Sequence, residues 1–431
     1  MKLLSALGDP SRYQRQLERL HARVMGTGRL WELHQDGVPF AELLHDKNKL
    51  ARLLARSVRD GSFRTTPARR YIAHIDKKRE LYRFSLFDLL VHSVAAEVLD
   101  EAIATRLSPR LYSFRAGRSS WQAVQDLALF TRRHAQARPD PRTRGLYVLR
   151  ADVRRFCESV PLAEHAPLWP LLAEVLGEDL PLMRSLLRPI ALDADQQTTM
   201  PIVGLPFGSP ITNVILNLYL SPIDEILAEA PGGFYARFGD DLVFAHEDAA
   251  KVQWALDEVR TRVEKRGLTL SAHKLRSLYF NGAGRSAPEF AGTRTIQFLG
   301  LEVAFDGTIR LPRDKWREVL LELRARIRRT YALATGASED ARIAAQCRVA
   351  NEALDPRSLL SQHHALTLAQ LITDRHQLAE LDHYVALAIA ETISGVQGVR
   401  AFRRVSRRHL RASGLQSQVV LRNRGRDARE R

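Results

Sequence analysis

The sequence predicts an α+β fold, an antiparallel sheet backed by helices, and three observations carry that expectation. Short runs of β-branched and aromatic residues recur in the middle of the chain, between turn-forming residues. Segments with apolar residues at helical spacing precede, interrupt and follow them. Two strand pairs carry hairpin signals, Gly239-Asp240-Asp241 in "GFYARFGDDLVFAHED" and Asp306-Gly307 in "TIQFLGLEVAFDGTIRL".

Taken in order, residues 1 to about 60 read as helical, with "AELLHDKNKLARLLARSV" placing apolar residues on one face and basic residues on the other. From Tyr71, "YIAHIDKKRELYRFS" gives a strand, a turn crowded by Lys77, Lys78 and Arg79, and a return strand. A helix follows in "LFDLLVHSVAAEVLDEAIATRL". In "YSFRAGRSSWQAVQDLALF", Ser119 and Gln122 have capping-box spacing at the start of an amphipathic helix. The breaker-rich "RPDPRTRG" leads into the strand "LYVLRADV", which ends near Asp152.

Residues 161 to about 190 read as helical, and "GLPFGSPITNVILNLYL" runs from a Gly/Pro loop into a helix. Ser209 stands at its cap and Pro210 at its first position. The hairpin carrying Asp240 and Asp241 at its tip comes next, then a helix over 248–266. Strand-rich "LTLSAHKLRSLYF" and "TIQFLGLEVAFDGTIRL" follow, and beyond Pro312 the pattern is helical almost to the end. No internal repeat is present in the sequence.

With 431 residues, 45% of them hydrophobic, the chain has material for two or three domains and a sizeable core. Its two cysteines, Cys157 and Cys347, form neither a disulfide framework nor a zinc motif, which fits a reducing cytoplasm. The N-terminal stretch lacks the apolar core of a secretory leader, and no later stretch is long enough to span a bilayer. A net charge of +16 points to a polyanionic partner, nucleic acid before an anionic membrane. Taken alone, Gly239-Asp240-Asp241 reads as a solvated turn, because both residue types tolerate turn dihedrals.

The order of motifs is more specific than any one of them. "SFRAGRSS", "ADVRRFCESV", "GLPFGSPITN", "FGDD", "SAHK" and "FLGLEV" occur in the sequence in that order, and together they resemble the core of reverse transcriptases over roughly residues 64–310. The resemblance implies a right-hand polymerase: an antiparallel palm sheet with helical fingers and a helical thumb. Its divisions would be an N-terminal helical segment (1–62), fingers (63–145), palm with part of the fingers (146–310) and a basic thumb (311–431).

It further implies RNA-directed DNA synthesis from dNTPs by two divalent cations, Mg2+ or Mn2+, lying roughly 4 Å apart. Asp152, Asp240 and Asp241, with the Val153 carbonyl, would hold them. Lys274 would protonate or stabilise the leaving pyrophosphate. Lys78, Arg79 and Arg83 would grip the triphosphate, with Phe156, Cys157, Gly208 and Ser209 around the incoming nucleotide. Arg115, Arg118, Gly204 and Pro206, and the primer-grip residues Phe298, Leu299 and Gly300, would meet nucleic acid.

One departure concerns the fifth residue after Asp152, bulky in the usual family pattern and here Cys157, preceded by Phe156. Either Phe156 fills the gate against a ribose 2′ hydroxyl, or the pocket is open. With no recognisable nuclease or protease module, the compact form resembles bacterial enzymes of the retron, diversity-generating, group II intron-like and antiphage defence sets, and "YSFRAGRS" points to the last. Such enzymes imply an RNA template and DNA product, and in some cases a structured non-coding RNA, a co-encoded protein partner or a homo- or hetero-oligomer. Two other readings stay open: an RNA-directed RNA polymerase or template-independent nucleotidyl transferase, and an inactive nucleic-acid-binding scaffold.

Overall fold

The computed structural model of the chain describes residues 3–27, 39–66, 69–74, 78–137, 145–187, 190, 203–355 and 364–422. It divides into two compact units, one of Met1–Ala123 with Tyr147–Ser277, the other of Val124–Leu146 with Leu278–Arg431. The fold is the mixed α+β arrangement expected, with an antiparallel-rich sheet.

The first unit opens with α1 (Leu3–Leu7), α2 (Pro10–Thr27), the single turn α3 (Phe40–Leu43) and α4 (Lys47–Arg59). Their buried side chains, among them Leu7, Tyr13, Leu17, Leu54 and Val58, recur at helical spacing, and in α4 Lys49, Arg52, Arg56 and Arg59 take the exposed face, whereas Arg12 of α2 is buried. Asp46 caps α4 by accepting from the Lys49 amide at 2.9 Å. β1 (Arg69–His74) and β2 (Lys78–Arg83) pair antiparallel, Arg69 facing Arg83. The turn expected between them, with Lys77, lies outside the described residues.

α5 (Leu86–Ile103) is apolar nearly all round and is accordingly buried. Ser85 caps it by accepting from the Asp88 amide at 3.0 Å. α6 (Ser120–Ala137) begins with the capping box the spacing predicts: the Ser119 amide donates to Gln122 Oε1 at 3.0 Å, and the Gln122 amide donates to Ser119 Oγ at 3.3 Å. α6 takes the chain into the second unit, and β3 (Leu146–Asp152) brings it back.

Short helices follow, α7 (Phe156–Ser159), α8 (Leu168–Leu176) and α9 (Leu180–Leu187), then α10 (Pro210–Tyr219), which packs on α5, and α11 (Ser221–Leu227). Ser209 occupies the α10 cap position without bonding the helix; its hydroxyl meets His92 Nδ1 at 3.0 Å. The buried imidazole takes the oxygen that would otherwise accept from the Ile211 or Thr212 amide. β4 (Phe234–Phe238), β5 (Asp241–His246), α12 (Ala249–Lys265) and β6 (Arg276–Phe280) complete the run, with β5 antiparallel to both β4 and β3 and β6 next after β3.

In the second unit, the end of β6 runs parallel to β7 (Ala291–Thr293). A parallel return needs a crossover. Asn281 shapes it, its side chain accepting from the Ala283 and Arg285 amides and donating to the Arg285 carbonyl. β8 (Thr295–Phe298), β9 (Leu301–Ala304) and β10 (Ile309–Arg310) form a separate antiparallel sheet. Leu299 and Gly300, both at positive φ, make the two-residue turn between β8 and β9.

α13 (Arg313–Leu333), α14 (Glu339–Leu354), α15 (His364–Ala369), α16 (Arg375–Ser394) and α17 (Arg407–Ala412) follow, as expected beyond Pro312. Leu323 and Ile327 of α13, Ile343 and Cys347 of α14, and Leu381 and Ile389 of α16 are buried in this helical core. Cys157 and Cys347 are both free thiols.

Candidate active site

The strands bring three carboxylates together. β3 and β5 pair so that Asp152 directly faces Asp241 across the ladder. Phe238 pairs with Asp241, leaving Gly239 and Asp240 as a two-residue loop. Of these two only Gly239 has positive φ (+64°), the requirement of a II′ hairpin turn. The sequence places both acids at the tip; Asp240 alone is there, and Asp241 is the first residue of β5.

Facing like charges destabilise a sheet, so the site needs cations. Lys274 supplies one, its Nζ donating to Asp152 Oδ2 at 2.5 Å. The turn that delivers it is tied to the same strand end: the Ser271 amide donates to the Asp152 carbonyl at 2.8 Å, and the Lys274 amide to the Ser271 carbonyl at 3.0 Å. The Arg154 amide donates to the Thr269 carbonyl at 2.8 Å, and neither bond between these two segments uses the Val153 carbonyl.

Burial, then the charge of Asp152, pushes the Asp240 carboxyl up to about 6, with Asp241 adding to the shift. The same two causes, burial before Asp152, raise Asp241, against the pull of Lys274 and Arg150. For Lys274, burial acts downward, but its bond to Asp152 and the surrounding carboxylates outweigh it and the ammonium is favoured. Burial and then the negative charges of Asp240 and Glu158 push the Cys157 thiol up to about 12, which rules out a thiolate nucleophile near neutral pH.

Among the described residues, no three acidic, His or Cys side chains already converge as a closed ligand shell. The donor set is nevertheless all oxygen, with three carboxylates whose mutual repulsion is written in the raised Asp240 and Asp241. Hard divalent cations of the magnesium type suit such a set.

Around the carboxylates, Phe156 is buried in the core while Cys157 is half-buried. The Gly204 and Leu205 amides donate to the Val160 and Cys157 carbonyls, both at 2.7 Å, which stitches the "GLPFG" loop to α7. Gly208, at φ +116°, passes close to β2; a Cβ there would lie 3.3 Å from the Tyr82 carbonyl oxygen. Pro206 and Ser209 are buried.

Other expected residues are less central. Lys78 and Arg79 open β2, their side chains outside the described part, and Arg83 lies over the Tyr71 ring at 4.8 Å. Arg115 donates to the Ser108 carbonyl at 2.7 Å, and the exposed Arg118 lies 5.6 Å from the Tyr112 ring. Phe298, Leu299 and Gly300 belong to the second unit. The Phe298 side chain is buried there, which leaves Leu299 and Gly300 as the residues its hairpin presents.

Residues not singled out from the sequence complete the picture. Arg150, two positions before Asp152 on β3, adds a second cation beside the carboxylates. Ser113, Asn217, Asp224 and Arg237 are buried behind the hairpin. An arginine in the apolar run "FYARF" is the signal that marks this cluster.

Residues 75–303 match the protein family described as "Reverse transcriptase (RNA-dependent DNA polymerase)". Among solved structures, the apo telomerase from Candida Tropicalis is 12% identical with a TM-score of 0.44, over 81% of this chain and 66% of that one. The telomerase from Candida albicans in complex with the TWJ fragment of telomeric RNA is 13% identical with a TM-score of 0.41, over 76% of this chain and 59% of that one. The chain thus spans less than two thirds of the length of these structures. None of the curated proteins matches it.

Proposed function

We propose, because the chain belongs to the reverse transcriptase family, that it is an RNA-directed DNA polymerase working by two-metal nucleotidyl transfer. The observation that carries this is the carboxylate set: Asp152 facing Asp241 across a ladder, with Asp240 on the adjoining turn. When bound, two Mg2+ or Mn2+ ions supply a lowered pKa for the primer 3′ hydroxyl and neutralise the triphosphate. Asp152, Asp240 and Asp241 would hold them, with the Val153 carbonyl as a further oxygen.

Lys274, already charged at the site, holds the proton for the departing pyrophosphate. Lys78, Arg79 and Arg83 meet the triphosphate, and Gly208 and Ser209 lie beneath the nucleotide with Phe156 and Cys157. Arg115, Arg118, Gly204 and Pro206 hold template backbone, and Leu299 and Gly300, on a turn buttressed by Phe298, meet the primer. In this reading residues 63–145 serve as fingers, 146–310 as palm with part of the fingers and 311–431 as a helical thumb, behind the N-terminal segment 1–62.

We further propose a bacterial enzyme of the antiphage defence type, acting in the cytoplasm with a structured non-coding RNA or a co-encoded protein, as a homo- or hetero-oligomer. The "YSFRAGRS" motif and the basic N-terminal helices and tail support it. No described helix is long and apolar enough to cross a membrane. A second reading, ribonucleotide incorporation by an RNA polymerase or terminal transferase, is favoured by one observation: Phe156 is committed to the core, so the small Cys157 holds the expected gate position.

The test is to purify the full chain with its copurifying nucleic acid, add labelled dNTPs or NTPs with magnesium, and compare it with Asp240→Ala. Nuclease-resolved DNA from the wild type alone is the expected result. RNA product supports the second reading. No incorporation by either protein, with any added template, sinks both.

A further inference from the structure

We infer that a closed ring of buried polar groups, formed by Arg237, Asp224, Ser113 and Asn217 around Gly239, positions Asp240 for its cation. These are positioning residues, and the inference rests on the two-metal reading above.

Arg237, the last residue but one of β4, is wholly buried, with its charge matched by Asp224 of α11, also wholly buried. Nε donates to Asp224 Oδ1 at 2.7 Å and one terminal nitrogen donates to Oδ2 at 2.6 Å, the forked geometry a guanidinium offers and an ammonium does not. Tyr235 donates its hydroxyl to the same carboxylate at 2.7 Å. The fork also reaches outward: its other terminal nitrogen donates to the Gly239 carbonyl at 2.9 Å, and the nitrogen on Oδ2 also donates to the Asn217 carbonyl at 3.0 Å.

A second limb takes the other side of the same glycine. The Gly239 amide donates to Ser113 Oγ at 2.9 Å. Ser113 in turn donates to Asn217 Oδ1 at 2.9 Å, and Asn217 Nδ2 donates to the Ser113 carbonyl at 2.8 Å. Asn217 therefore closes the ring, meeting Arg237 through its backbone and Ser113 through its side chain.

Both polar backbone atoms of Gly239 are thus held by buried partners. Gly239 carries the positive φ on which the turn depends, and its carbonyl carbon is bonded to the Asp240 nitrogen. Fixing this residue fixes where the Asp240 carboxylate starts. A turn wetted by solvent would need none of these groups, and a sheet needing only stability is served as well by apolar residues, since a buried ion pair is seldom more stable than a hydrophobic replacement. The arrangement suits a carboxylate that must be held in place beside two others.

The experiment measures Mn2+ binding to the full chain, with a DNA primer on an RNA template, by electron paramagnetic resonance of the free ion. Wild type, Asp240→Ala, Ser113→Ala and the double variant Arg237→Met with Asp224→Leu are compared at a temperature where melting curves show each fully folded. Because these groups bond the Gly239 backbone and not the Asp240 carboxylate, their loss is expected to weaken Mn2+ binding by about 10-fold, the low end of the effect of losing a ligand's direct partner, in Ser113→Ala and in the double variant. The Mg2+ concentration for half-maximal dNTP incorporation rises in parallel, while the rate at saturating Mg2+ returns toward wild type. A purely structural role would move melting and leave the metal titration in place.

Folded Ser113→Ala with wild-type Mn2+ affinity overturns the inference, and it carries the test alone should the double variant not fold. If wild type binds no more Mn2+ than Asp240→Ala, the two-metal reading itself fails and takes the inference with it.

Discussion

His92 is an imidazole with no exposed surface, sharing Nδ1 with the Ser209 hydroxyl and set edge-on to Phe84, while Nε2 has no partner among the described residues. Burial lowers it to about 4 from an ordinary 6.5. Above pH 6.5 it is neutral in folded and unfolded chains alike. Between 6.5 and about 4 only the unfolded chain takes up the proton, so stability falls over that window and the loss stops below it. Linkage puts the loss at about 3 kcal/mol. Denaturant midpoints for wild type and His92→Asn across pH 7 to 4 are expected to converge toward low pH by that amount; parallel profiles would discount the buried neutral ring.

Cys157 carries a prediction about selectivity. Replacement by Phe is expected to depress ribonucleotide incorporation relative to deoxyribonucleotide, read from product composition under competing NTPs and dNTPs. Equal rejection of ribonucleotides by both proteins would remove Cys157 from the gate. The acids and the small residue after Phe156 were legible because their residue types are unusual where they stand. His92 and Ser113 were not, since each becomes meaningful only through a partner more than a hundred positions away.

Among elements, the β3–β5 ladder holds the most consequence. Asp152 and Asp241 face each other, so Asp241→Asn is expected to raise metal-free stability, by up to about 1 kcal/mol, while removing nucleotide incorporation. Thermal melting in chelator with a parallel extension assay checks both; a melting point below wild type would show that the facing pair does not strain the sheet. At α6, Ser119→Ala should cost about 1 kcal/mol through loss of the capping box. Its denaturation midpoint, set beside that of Gln122→Ala, measures the two halves of the reciprocal bond.

The same elements show where sequence reasoning stops. Turn and cap residues are local, and so the hairpin at Gly239, the capping box at Ser119 and the Asp306-Gly307 turn could be placed from spacing alone. The parallel return of β6 to β7 could not, because hairpin signals describe neighbours in sequence, and this pairing depends on how Asn281 folds the intervening loop. The role of Ser209 was misplaced for a related reason: its cap geometry is local, and its hydroxyl partner is not.

At the scale of the whole molecule, the charge of +16 sets an expectation that is independent of the active site. Affinity for nucleic acid should fall linearly in log–log form with salt, and with 6–10 phosphate contacts by about 10³ to 10⁵ between 50 and 200 mM. Fluorescence anisotropy of a labelled RNA–DNA duplex over that range measures it. A flat response would contradict the basic residues' part in binding.

The division of the chain into units bears on how it is made. The first unit is interrupted by Val124–Leu146 and resumes at Tyr147, and the chain changes unit inside α6, β3 and β6. As the chain leaves a ribosome, β3 emerges long before β5, and Val124–Leu146 before any of Leu278–Arg431. The first unit cannot close before Ser277 is made, the second needs residues beyond Leu278 to meet Val124–Leu146, and apolar β3 waits for a partner while synthesis continues. At the usual pace of about 5–20 residues per second, that wait lasts seconds, a window in which a chaperone that shields extended apolar segments would decide the yield of folded protein.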